Sequence, residues 1–142
     1  MKAKTKVAIG WGLAMIILGT TAPAAVAASR EGTYTGSTSQ DRPFRLAVGG
    51  DERIRLVRIT IEYENAECVD HARWDFGLSS RIRDDGTFRI KLVDEGDDRN
   101  TVVLNGEFTS RRRVEGTFRS TLHEGHGCGD LRASGTWSAT RQ

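Results

Sequence analysis

From Phe44 almost to the C-terminus, apolar and polar side chains alternate with a period of two. Phe44, Leu46 and Val48 alternate with Arg45 and Ala47, and Gly49-Gly50-Asp51 supplies a turn. Val57, Ile59, Ile61 and Tyr63 then alternate with Arg58, Thr60 and Glu62. Such alternation puts every second side chain on the buried face of a strand. Ile54 and Leu56 fall out of step with this series, which predicts a β-bulge near Arg55 to Val57. Further inward sets are Trp74, Phe76, Leu78; Phe88, Ile90, Leu92; Val102, Leu104, Gly106, Phe108; Val114, Gly116, Phe118, Leu122; and Leu131, Ala133, Gly135, Trp137, Ala139. Asp84-Asp85-Gly86 reads as a hairpin turn between two of them.

With an opening strand around Tyr34, the pattern predicts eight strands. No segment has the three-to-four residue spacing of an amphipathic helix, and turns recur at short intervals. The expectation is an all-β domain, an antiparallel meander closed as a small barrel or flattened as a sandwich.

A second pattern overlies the first. Gly-x-aromatic recurs at Gly32/Tyr34, Gly86/Phe88, Gly106/Phe108, Gly116/Phe118 and Gly135/Trp137. Both marked positions of each copy are expected on the inward face. Glycine weakens a strand, so its repetition needs a cause. In a tightly curved sheet it lets strands bend and approach, and a neighbouring ring covers the bare backbone. The motif is therefore read as a packing device rather than a ligand site.

The N-terminus has another character. Lys2, Lys4 and Lys6 precede the uncharged apolar run Val7 to Leu18, and Ala25-Val26-Ala27 supplies a small-x-small sequence. These are the parts of a secretory signal over residues 1–27. The apolar run falls short of the ~20 residues that cross a bilayer, so no membrane span is expected in the mature chain. No cysteine stands where a lipoprotein anchor would need one. A single β domain, 28–142, is expected outside the cell.

Removing the signal changes the charge. The full chain has 21 Lys plus Arg against 19 acids; three lysines leave, giving 18 against 19 and a net −1. All remaining basic residues but Lys91 are arginine, with acids interleaved. This argues against the one-sided basic face that a nucleic-acid backbone requires.

Cys68 and Cys128 are the only cysteines, and an oxidising compartment predicts a bridge between them. A meander sends successive connections to alternate ends. One end receives the short turns near Gly49 to Glu52, Asp84 to Gly86 and Ser110 to Arg113. The other receives Ser37 to Arg42, Asn65 to His71, Val93 to Asn100 and Glu124 to Asp130. Parity thus places both cysteines together, with Gln40, Asp70, His71, Asp97, His123 and His126 as the candidate binding end, because function rides on longer loops.

Several patterns at that end have two readings. Cys68-x-x-His71 and His123-x-x-His126-x-Cys128 have spacings that occur in zinc sites, or they are a disulfide with exposed histidines. The loop DEGDDRN offers oxygens for calcium but lacks the EF-hand order, and otherwise is a solvated loop. Arg111-Arg112-Arg113 could meet an anion, or simply guard a hairpin tip. No nucleophile elbow is present. No cofactor is implied.

The run Gly32-x-Tyr34-x-Gly36-x-Thr38-Ser39-Gln40-x-Arg42-Pro43-Phe44 resembles the opening of a small secreted all-β domain found in uncharacterised exported bacterial proteins, of the form G-x-Y-x-G-x-T-S-Q-x-R-P-[IF]. The likeness extends through the mid-chain cysteine to the closing Gly-x-Trp and departs at the acidic insert Asp94 to Asp98. It implies a fold and no established activity. A weaker likeness is to avidin-type barrels, where Gly-Thr-Trp and Gly-Thr-Tyr mark successive strands. The function expected is that of a secreted, non-enzymatic module binding an extracellular protein, polysaccharide or surface through its long-loop end. The alternatives are a small-ligand barrel resembling lipocalins or avidins, and a metal-dependent hydrolase.

Overall fold

The computed structural model describes residues 29–123 and 127–142. The expected secretory signal over residues 1–27 lies outside the described residues, as do Glu124 and His126. Eight strands form: β1 (Gly32–Thr38), β2 (Pro43–Val48), β3 (Arg53–Glu64), β4 (Val69–Arg81), β5 (Thr87–Val93), β6 (Thr101–Ser110), β7 (Arg113–Leu122) and β8 (Leu131–Arg141). All pair antiparallel within one sheet, in the order β4-β3-β2-β1-β8-β7-β6-β5. The sheet curls into a nearly closed barrel, so the flattened-sandwich alternative is set aside.

The hydrogen-bonded circuit does not open where the chain begins and ends. β1 pairs with β8, and the break lies between β4 and β5, which are consecutive in sequence. The turn expected at Asp84 to Gly86 is present, with Arg83 N donating to Thr87 O (2.9 Å) and Gly86 N to Arg83 O (2.9 Å). It is not the tip of a laddered hairpin, which corrects that expectation. Ile82 drops into the core, and Gly86 O accepts instead from Phe108 N of β6 (3.0 Å). The connection therefore crosses the base of a seam while β4 stays laddered to β3 and β5 to β6.

The bulge falls where the broken alternation puts it. Ala47 faces Leu56 and Val48 faces Ile54, so Arg55 is the extra residue, and the β3–β4 register slips at the same place. This turns Ile54 back into the core although it breaks phase with Val57.

Inside, rings meet glycines across the ladders. Phe88 lies opposite Gly106, Phe118 opposite Gly135, and Trp137 opposite Gly116. A Cβ on Gly106 would come 2.3 Å from the Phe88 ring, and one on Gly135 would come 2.8 Å from Phe118. At these two positions the rings occupy the volume that the absent side chains leave, whereas a Cβ on Gly116 would meet the Asn105 backbone and Gly86 sits in the turn at φ 85° nearest Phe108 O. The first copy departs from the expected orientation: a Cβ on Gly32 would meet the Arg141 side chain, not a core ring, because Gly32 opens the strand where Arg141 reaches back across it. Phe44 and Trp137 stack at 4.2 Å, with Phe88 beside them at 6.1 Å from Trp137. The barrel axis is therefore filled with side chains.

Candidate functional site

Parity holds in the folded chain. The connections 39–42, 65–68 and 94–100 share one rim with His123 and 127–130. β4 begins at Val69, so Asp70 and His71 belong to a strand end and not to the loop assigned to them. The rim resolves into two corners.

In the first corner Gln40 works on the backbone. Its Nε2 donates to Glu62 O (2.7 Å) while Glu62 N donates to its Oε1 (2.9 Å). The amide thus imitates a strand neighbour and fastens the β1–β2 turn to β3. Arg42 pairs with the Glu62 carboxylate, and His71 stands opposite Glu62 on β4 with an exposed side chain. Asp70 Oδ1 accepts from His71 N (2.8 Å).

The second corner is built around the disulfide between Cys68 and Cys128, which joins the β3–β4 and β7–β8 connections. Asn65 Oδ1 accepts from Glu67 N (2.9 Å) and Cys68 N (2.8 Å), the Asx geometry that tightens a turn. Its Nδ2 donates to Cys128 O (3.2 Å). Asn100 plays the same part between the next two loops. Its Oδ1 accepts from His123 N (2.7 Å) and its Nδ2 reaches Asp94 Oδ2 (3.3 Å). His123 Nδ1 pairs with Asp130 Oδ1 at 2.7 Å.

The acidic loop is internally bonded. Asp94 Oδ1 accepts from Gly96 N (3.2 Å), and Asp97 accepts from Arg99 N (3.0 Å) and from the Arg99 guanidinium. That guanidinium is the main reason the Asp97 carboxyl is held below its ordinary range. The carboxylates of Asp94 and Asp97 thus already serve the loop's own donors. Among the described residues no three of His, Cys, Asp or Glu converge as metal ligands. The cysteines, being joined to each other, offer no thiolate for the zinc reading. His126 lies outside the described residues.

Beneath the rim a buried polar chain crosses the barrel. Trp74 Nε1 donates to Tyr63 OH (3.0 Å), Tyr63 OH meets Ser120 Oγ (2.5 Å), and Ser120 Oγ donates to Thr101 O (2.8 Å). Burial is the largest influence on Tyr63 and pushes its hydroxyl pKa up. These bonds tie β3, β4, β6 and β7 together beneath the described loops.

Sequence reasoning missed Asn65 and Asn100, whose amides lock the loops together. The available signals were an asparagine three residues before a cysteine and another ending an acidic loop. It also missed how the charges separate. The described rim connections carry Asp41, Glu67, Asp94, Glu95, Asp97, Asp98 and Asp130 against Arg42 and Arg99. The arginines Arg45, Arg53, Arg55, Arg58, Arg73, Arg81, Arg89, Arg113, Arg119, Arg132 and Arg141 stand on the strands instead. The strands also carry Glu62, Glu64, Asp70, Asp75, Glu107 and Glu115, so charge stays mixed there and the carboxylate excess is local to the described rim.

A groove of about 870 Å³ runs along the outer face from Ser39 of the rim, bordered by Ser37, Thr117, Thr136, Ser138 and the cross-strand pair Glu107 and Glu115. Gly106 and Gly116 lie in its lining beside the small hydroxylated side chains, and Arg113 Nε pairs with Glu115 Oε2 at 3.4 Å.

No protein family, no curated protein and no solved structure matches this chain.

Proposed function

We propose that the chain is a secreted, non-enzymatic β module whose long-loop rim docks an extracellular partner presenting positive charge. One observation carries this reading: three connections from distant parts of the sequence are bonded to one another, and with 39–42, which is fastened to β3, they present described carboxylates that outnumber the cations. A rim ordered by a disulfide and two asparagine clamps loses little conformational freedom on binding, which favours recognition. Export rests on the N-terminal signal pattern, with which a disulfide is compatible. The non-catalytic reading rests on how the polar groups are used, since Gln40, Asn65, Asp97 and Asn100 are engaged in holding loops.

The rim is tested by binding to a polylysine-coated surface against an uncharged one. Glu67→Gln, Glu95→Gln and Asp98→Asn remove three exposed rim carboxylates. Glu31→Gln, Asp84→Asn and Glu107→Gln remove three exposed ones elsewhere. Binding is expected to fall about tenfold or more in the first variant and little in the second, with steep salt dependence. Equal losses in the two variants would leave net charge as the cause and end the rim reading.

A further inference from the structure

The outer face of β1–β4 carries a second charged feature, independent of the rim. The strand register places Thr35, Arg45, Arg58 and Asp75 side by side on β1, β2, β3 and β4. Arg45 stands directly opposite Arg58. Like charges in that relation, with Cβ atoms about 5 Å apart, destabilise a sheet. Asp75 is the carboxylate in the row, and it is already shared: Arg58 reaches it at 2.8 Å and Arg73 at 3.3 Å. The Arg58 hydrogen bond is the main cause holding the Asp75 carboxyl below its ordinary range. Arg45 is exposed and makes no ion pair among the described residues. Two guanidinium groups thus share one carboxylate, and the third, Arg45, is left beside them without one.

Edge protection does not explain the arrangement. Charged side chains blunt exposed edges, and Arg73 on β4 fits that use. β2 and β3, which carry Arg45 and Arg58, are paired on both sides. The face is also concave. A hollow of about 330 Å³ is bordered by Thr35, Gly36, Arg45, Arg58, Thr60 and Arg73. Pro43 and Phe44 complete its lining, so an apolar floor lies beside the threonines and the arginines.

We propose that this hollow is a binding site for a sulfate- or phosphate-type oxyanion, free or carried on an extracellular polymer. Guanidinium groups present several N–H donors in a planar fork and suit oxyanions with more than one free oxygen. Arg45 supplies a fork with no competing carboxylate, Arg58 approaches from the adjacent strand, and the Thr60 hydroxyl adds a donor from the far side. A bound oxyanion neutralises the Arg45–Arg58 repulsion, which accounts for two facing arginines in the middle of a sheet.

The experiment measures binding of the mature chain to dextran sulfate, to unsulfated dextran and to inorganic sulfate by titration calorimetry, with the Arg Nε resonances followed by NMR. Dextran sulfate is expected to bind and dextran not. Arg45→Gln should weaken binding about tenfold, and Arg45→Lys, which keeps charge but loses the fork, by less. Each arginine removed should lower the slope of log K against log salt by about one. Asp75→Asn should tighten binding by releasing Arg58. Arg111→Gln with Arg112→Gln, at the exposed β6–β7 turn, removes two charges elsewhere and should leave binding near the wild-type value. Displacement of dextran sulfate by millimolar inorganic sulfate assigns the site to the free ion, and its failure to displace assigns the site to the polymer. Either outcome supports the hollow if Arg45→Gln is selectively defective. Absence of binding to both probes, or equal loss in the Arg111/Arg112 variant, overturns it. Arg45 is exposed, so near-ultraviolet circular dichroism of the buried tryptophans is expected to be unchanged.

Discussion

The hydroxyl of Tyr63 on β3 lies 2.5 Å from Oγ of Ser120 on β7, a strand four places away in the sheet order. The bond spans the barrel instead of following a ladder, and Trp74 Nε1 depends on the same hydroxyl. Tyr63→Phe keeps the ring and removes only the hydroxyl, leaving the buried indole N–H without its partner. The expected loss is about 1–3 kcal/mol, because an unsatisfied buried donor costs more than its bond contributes. Urea unfolding measures it. A change under ~0.5 kcal/mol would mean that water replaces the hydroxyl.

Phe88 and Gly106 test the glycine pattern. A Cβ on Gly106 would sit 2.3 Å from the ring, so Gly106→Ala must displace Phe88 or the strand. Overpacking of this kind costs about 1–3 kcal/mol. Phe88→Leu in the same chain should recover part of the loss, giving a coupling energy above ~0.5 kcal/mol in a double-mutant cycle. At Gly77 the nearest atom to a built Cβ is Arg55 O at 4.0 Å. Gly77→Ala should therefore be neutral or slightly stabilising. Equal cost at both positions would make the rings incidental.

These two relationships mark what the sequence could disclose. Period-two alternation fixes which side of a strand each residue takes, so the inward rings, the bulge at Arg55 and the common end of the cysteines were all legible. Alternation contains nothing about which strands fail to pair. The seam between β4 and β5 was hidden, and the acidic–glycine turn there resembled any hairpin. Neighbours across a sheet depend on register, so Arg45 beside Arg58 could not be read from positions thirteen apart. Gln40 looked like a binding residue because an amide in a turn serves backbone and ligand equally well.

The disulfide should matter to the rim more than to the wall. Cys68 and Cys128 are separated by 60 positions, and a cross-link of that span contributes about 4 kcal/mol in the chain-entropy model. Cys68→Ala with Cys128→Ala should lower stability by roughly that amount while far-ultraviolet circular dichroism remains that of a β protein. Hydrogen exchange should accelerate first in 65–68 and 127–130, ahead of the central strands. Exchange rising uniformly through the barrel would show that the bridge sustains the whole fold.

Stability should bend at both extremes of pH, for opposite reasons. Asp75, Asp85 and Asp97 are held below the ordinary carboxylate value of 3.8, chiefly by hydrogen bonds from Arg58, Thr87 and Arg99 respectively. The folded state favours their charged forms. Their contribution is thus present above pH 3.8 and is lost as pH falls through the lowered folded values. Asp75 and Asp85 are exposed and Asp97 is half-buried, so this limb should be shallow and weaken in high salt. Tyr34 and Tyr63 are shifted the other way, burial raising both above 10.0. The folded state favours their neutral forms, and that contribution is present below pH 10 and lost as pH rises through the raised values. Urea midpoints across pH should therefore fall below about 3.8 and again above about 10. Tyr63→Phe should flatten the alkaline limb, and the Asp75→Asn, Asp85→Asn, Asp97→Asn variant the acid one. An acid limb that keeps its slope in the triple variant would transfer that stabilisation to other carboxylates and leave these hydrogen bonds without a thermodynamic role.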